Sequence, residues 1–422
     1  MPAELSAAIA ARLDQIIAFA RTHSPFYRDL YAGLPDSPTL ADLPLVDHAA
    51  YWAANDQHDN RLLTGEQAGG IVLKTGGTTS APRVSRYTRA EWREMAATFS
   101  AGLPAAGLRD GDRVANLFYA GELYSSFIFT LNCLQDAPVD TVHLPIAGSA
   151  PLDFTATAIA DFSATVLAAP PTTLCRLAEH VTANTGALPS VRLALFSGES
   201  FYGDQRALLA SAFPNAEVRS IGYASVDGGI VGAPVDGEGD TRMHRAFPDR
   251  IVELLDPETG RPVTEPGVPG RVVVTDLVRR LQPVLRYPVG DLAEWAGEDT
   301  FRLLGRSDEG ARVGPVTLYL DDLRAVVESA TSHSRMVAGM QVVLRRMDAK
   351  DQLVLRVACQ LIDPERFTAD IADELDRVRP MFADHVERGL IAPLAVELTG
   401  PDGLAINPRS GKLVRLIDER GR

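Results

Sequence analysis

No apolar run in this 422-residue chain approaches the ~20 residues needed to cross a bilayer, so a membrane-spanning protein is not expected. Cysteine is scarce. Cys133, Cys175 and Cys359 are far apart and odd in number, which gives neither a disulfide framework nor a metal knuckle. They read as buried thiols of a reducing cytosol, so a cytoplasmic location is expected. The eight histidines form no His-x-x-x-His spacing. Positive charge is in deficit, with 41 Lys and Arg against 55 Asp and Glu and a formal net charge of −14. This balance argues against nucleic acid and against an anionic membrane surface as partners. A secretory leader is not expected either: residues 1–20 carry Glu4, Arg12 and Asp14 where a basic start and an apolar middle would stand. Neither an internal repeat nor a low-complexity segment is visible.

What is present is ordinary soluble material, 46% hydrophobic and 23% charged, long enough for two or three domains. Leu5, Ile9, Leu13, Ile16 and Phe19 recur at helical spacing. Strand-like runs (113–118, 165–168, 191–196, 218–221) alternate with helical stretches (121–134, 202–213), which predicts α/β layers. Residues 250–255 and 270–275 flank a Pro/Gly-rich loop, "DPETGRPVTEPGVPG", and read as antiparallel β structure. After Gly305, "GMQVVLRRM" and "DQLVLRVACQ" read as a hairpin, followed by a helix over 363–382 and a last strand, "LAVELTG". The expected fold class is α/β: a large amino-terminal domain of α/β layers with a β-rich subdomain (1–305), then a small mobile α+β domain (306–422). Asp321 and Asp322 read as a helix cap or a solvated face.

One loop stands out. "LKTGGTTSAPRVSRYT" sets Thr75, Gly76, Gly77, Thr78, Thr79 and Ser80 after a short apolar run, with Arg83 close behind. Glycines let backbone amides approach an oxyanion, hydroxyls add donors and the guanidinium balances charge. A Walker loop would need a glycine, four residues, then Gly-Lys-Ser/Thr; after Gly77 and four residues Pro82-Arg83 stands there, so that reading fails. "FSGES" and "GYASVDGG" are not Gly-x-Ser-x-Gly elbows, which leaves a serine hydrolase little support.

The loop resembles the phosphate loop of the adenylate-forming superfamily, which includes acyl-CoA synthetases, luciferases and peptide-synthetase adenylation domains. Other segments resemble that superfamily's motifs, in its order. "SGES" (Ser197, Gly198, Glu199) is similar to the Gly-Gly-Glu turn at the adenine and acyl site. "GYASVDGG" (Gly222, Tyr223, Ala224, Asp227) is similar to aromatic-Gly-x-Thr-Glu. "RYPVGDLA" carries Asp291 at the Arg-Tyr-x-x-Gly-Asp aspartate. "GRSDEG" carries Arg306 and the hinge residue Asp308, and "NPRSGKLVR" carries Lys412. The opening stretches "SPFYRDLYAG" and "LADLPLVDHAAYW" narrow the likeness to phenylacetate–coenzyme A ligases, a branch with relatives in secondary-metabolite pathways.

The resemblance implies ATP- and Mg²⁺-dependent activation of a carboxylic acid, aromatic by analogy, as an acyl-adenylate, then transfer to coenzyme A. Two anions must meet in an in-line displacement at phosphorus, so positioning and charge neutralisation carry the catalysis. Lys412 is implied as the cation between the carboxylate and the α-phosphate, Asp227 as the Mg²⁺ ligand and Tyr223 as the adenine stacker. Asp291 and Arg306 are implied at the ribose, and Tyr119, Tyr124 and Phe127 at the acyl pocket. Three departures are visible: Arg83 where lysine is common, Asp227 for glutamate, and Val226 for a threonine. They keep two alternatives open: an adenylate passed to an amine, a carrier-protein thiol or a reductase, and a catalytically weakened nucleotide-binding homologue. Oligomeric state is also open, a homodimer included.

Overall fold

A computed structural model of the chain describes residues 5–74, 83–124, 126–199, 201, 203–235, 240–306, 310–314, 316–330, 334–348, 350–361, 363–408 and 410–420. Its contacts fall into two compact units, residues 1–145 with 219–307, and residues 146–218 with 308–422.

The first unit is organised by a seven-stranded antiparallel sheet. Its strand order is Arg250–Leu255, Pro269–Asp276, Tyr287–Trp295, Thr300–Arg306, Met243–Ala246, Gly229–Pro234, Tyr223–Ser225. The Pro/Gly-rich stretch closes the expected hairpin, running from Arg250 opposite Asp276 to Leu255 opposite Arg271. The helical spacing near the amino terminus forms helix Ala7–His23, whose start is capped by the Ser6 side chain accepting from the Ile9 amide. Its buried Leu13, Ile16, Ile17 and Ala20 join one core with Ile251, Val272, Tyr287, Trp295 and Phe301 of the sheet. Tyr27 and Tyr51 both donate their hydroxyls to the Pro283 carbonyl at 3.0 Å. These bonds tie the opening segment to the turn before "RYPVGD".

Two shorter pieces complete this unit. Strands Ile71–Lys74 and Val84–Tyr87 pair antiparallel with Lys74 opposite Val84. Strand Arg113–Asn116 pairs parallel with Val142–Leu144, and helix Ser126–Gln135 lies between them in sequence. The helix expected over 121–134 starts later than its apolar pattern suggests. Gly121, Glu122 and Leu123 all have positive φ (112°, 48° and 64°), which no right-handed helix accepts.

In the second unit, strands Val166–Ala169 and Leu193–Phe196 pair in parallel, with helix Pro171–Asn184 between them in sequence. A four-stranded sheet follows, in the order Ala392–Thr399, Lys350–Leu361, Ser334–Met347, Leu416–Asp418. The expected hairpin forms its centre, and both outer strands run parallel to their neighbours. Helices Leu320–Ser329 and Pro364–Val378 supply Leu323, Val327, Phe367, Ile371 and Leu375 to the core under it. The single helix expected over 363–382 is two, Pro364–Val378 and Pro380–Glu387. Pro380 disfavours the α conformation at Arg379, which sits at φ −133°, ψ 62°. Asp321 and Asp322 are not caps: Tyr319 holds that position and the two aspartates sit in the first turn. There they pair with Arg415 and Arg379.

The molecule is therefore a mixed α/β protein, as expected from the sequence. Cys133 and Cys175 are buried, and burial pushes the Cys133 thiol far up. Among the described residues no helix is long and apolar enough to cross a membrane.

Candidate active site

Thr75, Gly76, Gly77, Thr78, Thr79 and Ser80, and the hinge residue Asp308, lie outside the described residues. Arg306 ends strand Thr300–Arg306 opposite Asp291 in register. The remaining candidates divide between the two units.

In the first unit, Asp227 is the centre. It is buried, and its Oδ2 accepts from Arg83 Nη1 at 3.2 Å and from the Tyr287 hydroxyl at 3.0 Å. Its Oδ1 accepts from the Gly228 amide at 3.0 Å, and its backbone carbonyl accepts from Arg279 Nη1 at 2.8 Å. Burial alone would raise its pKa. The hydrogen bond with Ser225, the Arg83 charge and the Tyr287 hydroxyl outweigh burial and hold Asp227 below the usual carboxylate range. Arg83 also lies 5.9 Å from the Trp52 ring centre. The cation after the Gly/Thr loop thus meets the shortened carboxylate directly, across 144 residues of sequence.

Both oxygens of this ionised carboxylate already accept hydrogen bonds, so it would offer a hard cation only its remaining lone pairs, the other ligands coming from phosphates and water. Among the described residues no group of three or more His, Cys, Asp or Glu forms a metal cage.

Tyr223 belongs to the core of the first unit, its ring 5.9 Å from His244 and 6.0 Å from Phe301. Its hydroxyl donates to Asp291 Oδ2 at 2.5 Å. The tyrosine and the aspartate of two separate motifs are thereby joined. Gly222 has φ 140°, and a Cβ there would stand 2.7 Å from the Phe99 ring, so only glycine fits. Ala224 pairs with Ile230 in the neighbouring strand.

Sequence reasoning missed what supports this turn. Ser220 Oγ accepts from the Gly222 amide at 3.1 Å and lies 3.0 Å from His244 Nε2, while His244 Nδ1 lies 2.9 Å from the Arg242 carbonyl. The carbonyl requires a donor at Nδ1, and in the neutral ring that burial favours Nε2 then accepts from the serine hydroxyl. Burial pushes the His244 pKa down to about 4. An unfolded chain would take up that proton near its ordinary value of about 6.5. Stability is then intact above that pH and declines as pH falls from 6.5 towards 4, by about 3 kcal/mol at ~1.4 kcal/mol per unit. Thermal melts of wild type and His244→Gln across pH 7 to 4 check this. The wild type should lose Tm more steeply, and parallel curves would remove His244 as the source.

Tyr119, Tyr124 and Phe127 form one corner after strand Arg113–Asn116. Gly121 and Tyr124 exchange backbone hydrogen bonds at 3.1 and 2.8 Å, and the Phe127 amide donates to the Tyr119 carbonyl at 2.9 Å. Tyr119 and Tyr124 are buried. The Lys74 amide donates to the Leu123 carbonyl at 3.0 Å, linking this corner to the strand that enters the Gly/Thr loop.

In the second unit, Lys412 lies in a tight turn. The Asn407 amide donates to the Lys412 carbonyl at 2.8 Å, the Gly411 amide to the Asn407 carbonyl at 2.8 Å, and Gly411 has φ 66°. Buried Gln341 clamps the base of the turn. It donates to the carbonyls of Ala405 and Val414 at 2.8 and 2.7 Å and accepts from the Ala405 amide at 3.0 Å. The Lys412 side chain ends on Gly198, where a Cβ would meet Cε at 2.6 Å and Nζ at 2.7 Å. Glu199, next in sequence, accepts from the Leu413 amide at 2.6 Å. Ser197 continues from strand Leu193–Phe196 into this turn.

No protein-family model matches the chain. It is 26% identical over 444 residues to a phenylacetate–coenzyme A ligase of Thermus thermophilus, covering 97% of this chain and 95% of that one. A phenylacetate–coenzyme A ligase of Pseudomonas putida is 25% identical, covering 74% of this chain and 70% of its own. Among solved structures, a 2-hydroxyisobutyryl-CoA ligase in its postadenylation state with 2-HIB-AMP superposes with a TM-score of 0.75 at 24% identity. That match covers 100% of this chain and 91% of the other. The chain is thus similar over nearly its whole length to phenylacetate–coenzyme A ligases, and its fold is that of adenylate-forming ligases.

Proposed function

We propose that the chain is an ATP- and Mg²⁺-dependent ligase that converts an aromatic carboxylic acid to its acyl-adenylate and passes the acyl group to coenzyme A. The observation that carries this reading is the seating of Lys412 on Gly198, which brings together two motifs 214 residues apart. A carboxylate is a poor acyl donor because it would have to expel oxide. Attack on the α-phosphorus of ATP forms the acyl–phosphate bond, breaks the bond to pyrophosphate and makes AMP the later leaving group. Lys412 neutralises the approaching carboxylate and α-phosphate. Arg83 and the loop 75–80 take the β- and γ-phosphates, and Asp227 would hold the metal, whose charge screens the phosphates when bound. Asp291 and Arg306 take the ribose, Tyr223 with Gly222 and Ala224 borders the adenine, and Tyr119, Tyr124 and Phe127 face the acyl group. The domain reading goes with it: residues 306–422 turn about Asp308 between the two half-reactions.

A panel of carboxylic acids scored by ATP–pyrophosphate exchange, followed by product analysis with and without coenzyme A, tests this. Aromatic acids should support exchange, and coenzyme A should yield thioester. Nucleotide binding without exchange on any acid would leave a weakened homologue. Adenylate without thioester would move the acceptor to an amine, a carrier thiol or a reductase.

Asp291→Ala should weaken ATP binding about tenfold or more, as expected when charge-assisted hydrogen bonds worth about 1.5–3 kcal/mol are lost. It also strands the Tyr223 hydroxyl. Calorimetry decides: unchanged affinity removes Asp291 from the nucleotide site.

A further inference from the structure

Glu199 is the only carboxylate in "SGES", and its oxygens are taken up by two backbone amides and a hydroxyl. Oε2 accepts from the Thr172 amide at 3.0 Å, and Oε1 accepts from the Thr172 hydroxyl at 3.0 Å and from the Leu413 amide at 2.6 Å. Thr172 lies in the first turn of helix Pro171–Asn184, where backbone amides lack helical partners and the dipole favours an anion. Leu413 directly follows Lys412. One carboxylate therefore joins a helix start, the Gly198 turn and the lysine-bearing turn.

Another tie between the same helix and the same carboxyl-terminal stretch is weak. Arg176 stands 3.9 Å from Asp402, whose side chain is 96% exposed, and such pairs contribute little. Beside it, Thr172, Cys175, Arg176 and Glu179 line a small cleft of about 10 Å³ with Pro401 and Leu404. The three charge-assisted bonds of Glu199 are the strong link. Gly198 completes it, since its missing side chain leaves room for the lysine tip.

We infer that Glu199 is a positioning residue, a latch whose carboxylate fixes the Leu413 amide and so seats the Lys412 ammonium over Gly198 for the adenylation step. Its role in catalysis rests on the proposed function above. The latch itself is a contact that can be measured without turnover. Deprived of it, the turn stays clamped at its base by Gln341 but loses its hold at the tip.

Hydrogen–deuterium exchange on the full unliganded chain reads the latch directly. Glu199→Ala should speed exchange in the peptide spanning 405–414 about tenfold or more, the loss expected for a hydrogen bond to a charged acceptor. Peptides of the seven-stranded sheet should be unchanged. Glu199→Gln, which keeps one acceptor oxygen, should fall between. Thr172→Val, which removes a single hydroxyl, should give a smaller effect of the same sign and guards against misfolding of the alanine variant. Unchanged exchange at 405–414 in these variants overturns the latch.

The catalytic part is read with phenylacetate, MgATP and synthetic phenylacetyl-adenylate. Glu199→Ala should lower kcat for pyrophosphate exchange about tenfold or more with KM for ATP nearly constant, and spare thioester formation from the adenylate. A raised KM for ATP with unchanged kcat would make Glu199 a nucleotide contact and overturn the positioning role. Absence of exchange in the wild type with every acid would sink the adenylating reading, while deuterium exchange still decides the latch.

Discussion

Lys412→Ala should cut adenylation by about 10²–10³, the loss expected when one aimed donor to transition-state charge is removed. The Lys412 tip lies against Gly198, and the base of its turn is clamped by Gln341. Removal therefore deletes a preorganised charge, and the surrounding turn should persist. Thioester formation from a supplied acyl-adenylate should continue, because that step needs no cation at the α-phosphate. Asp308→Pro should show the reverse, since fixing φ restrains the hinge turn. Paired assays of pyrophosphate exchange and thioester formation separate the two. Equal loss of both steps in both variants would reject a lysine dedicated to the first half-reaction.

Asp227→Asn should be nearly as damaging, with adenylation reduced on the order of 10²-fold and a higher magnesium requirement. The amide matches the carboxylate in shape but strips the Arg83 pair and the acceptor for Tyr287 of their charge. Stability should fall as well, by about 2 kcal/mol, because a half-buried guanidinium loses its counter-ion. Asp227 titrates below its ordinary value in the folded chain, so this contribution is present above about pH 4. It fades as pH drops through the lower, folded value. Wild type and variant should differ most in chemical denaturation at neutral pH and converge in acid. A constant gap across pH would mean that Asp227 is not held ionised. Unaltered magnesium dependence would hand the metal to another carboxylate.

What the sequence offered was local: "GYASVDGG", "RYPVGD" and the lysine segment declare themselves by turn residues and charge in fixed order, and the structure joins Tyr223 to Asp291 and seats Lys412 on Gly198. Legibility failed where long-range packing or special backbone decided. The late start at Ser126 follows from positive φ at Gly121, Glu122 and Leu123, and apolar periodicity does not encode φ. Pro380 could have been read as a helix break, since a proline there restrains Arg379 before it.

The partners of the charged groups were out of reach for a different reason. Asp227 is separated from Arg83 by 144 positions and from Tyr287 by 60, and Glu199 from Leu413 by 214. Such pairs exist only once the chain has folded. His244 looked like any isolated histidine: its bond to the Arg242 carbonyl is local, and its contact with Ser220, 24 positions away, exists only in the folded chain.

The Gln341 clamp has a consequence for how often the lysine can act. An ammonium on a freely jointed tail would be diluted over the volume the tail sweeps, with an effective concentration near the millimolar level typical of flexible tethers. Here both strands leading into the turn are bonded to one buried amide on a fourteen-residue strand, Ser334–Met347. The turn must travel with that sheet as one body. In the proposed adenylation the lysine would then act as a fixed arm, at the much higher effective molarity of an oriented intramolecular group.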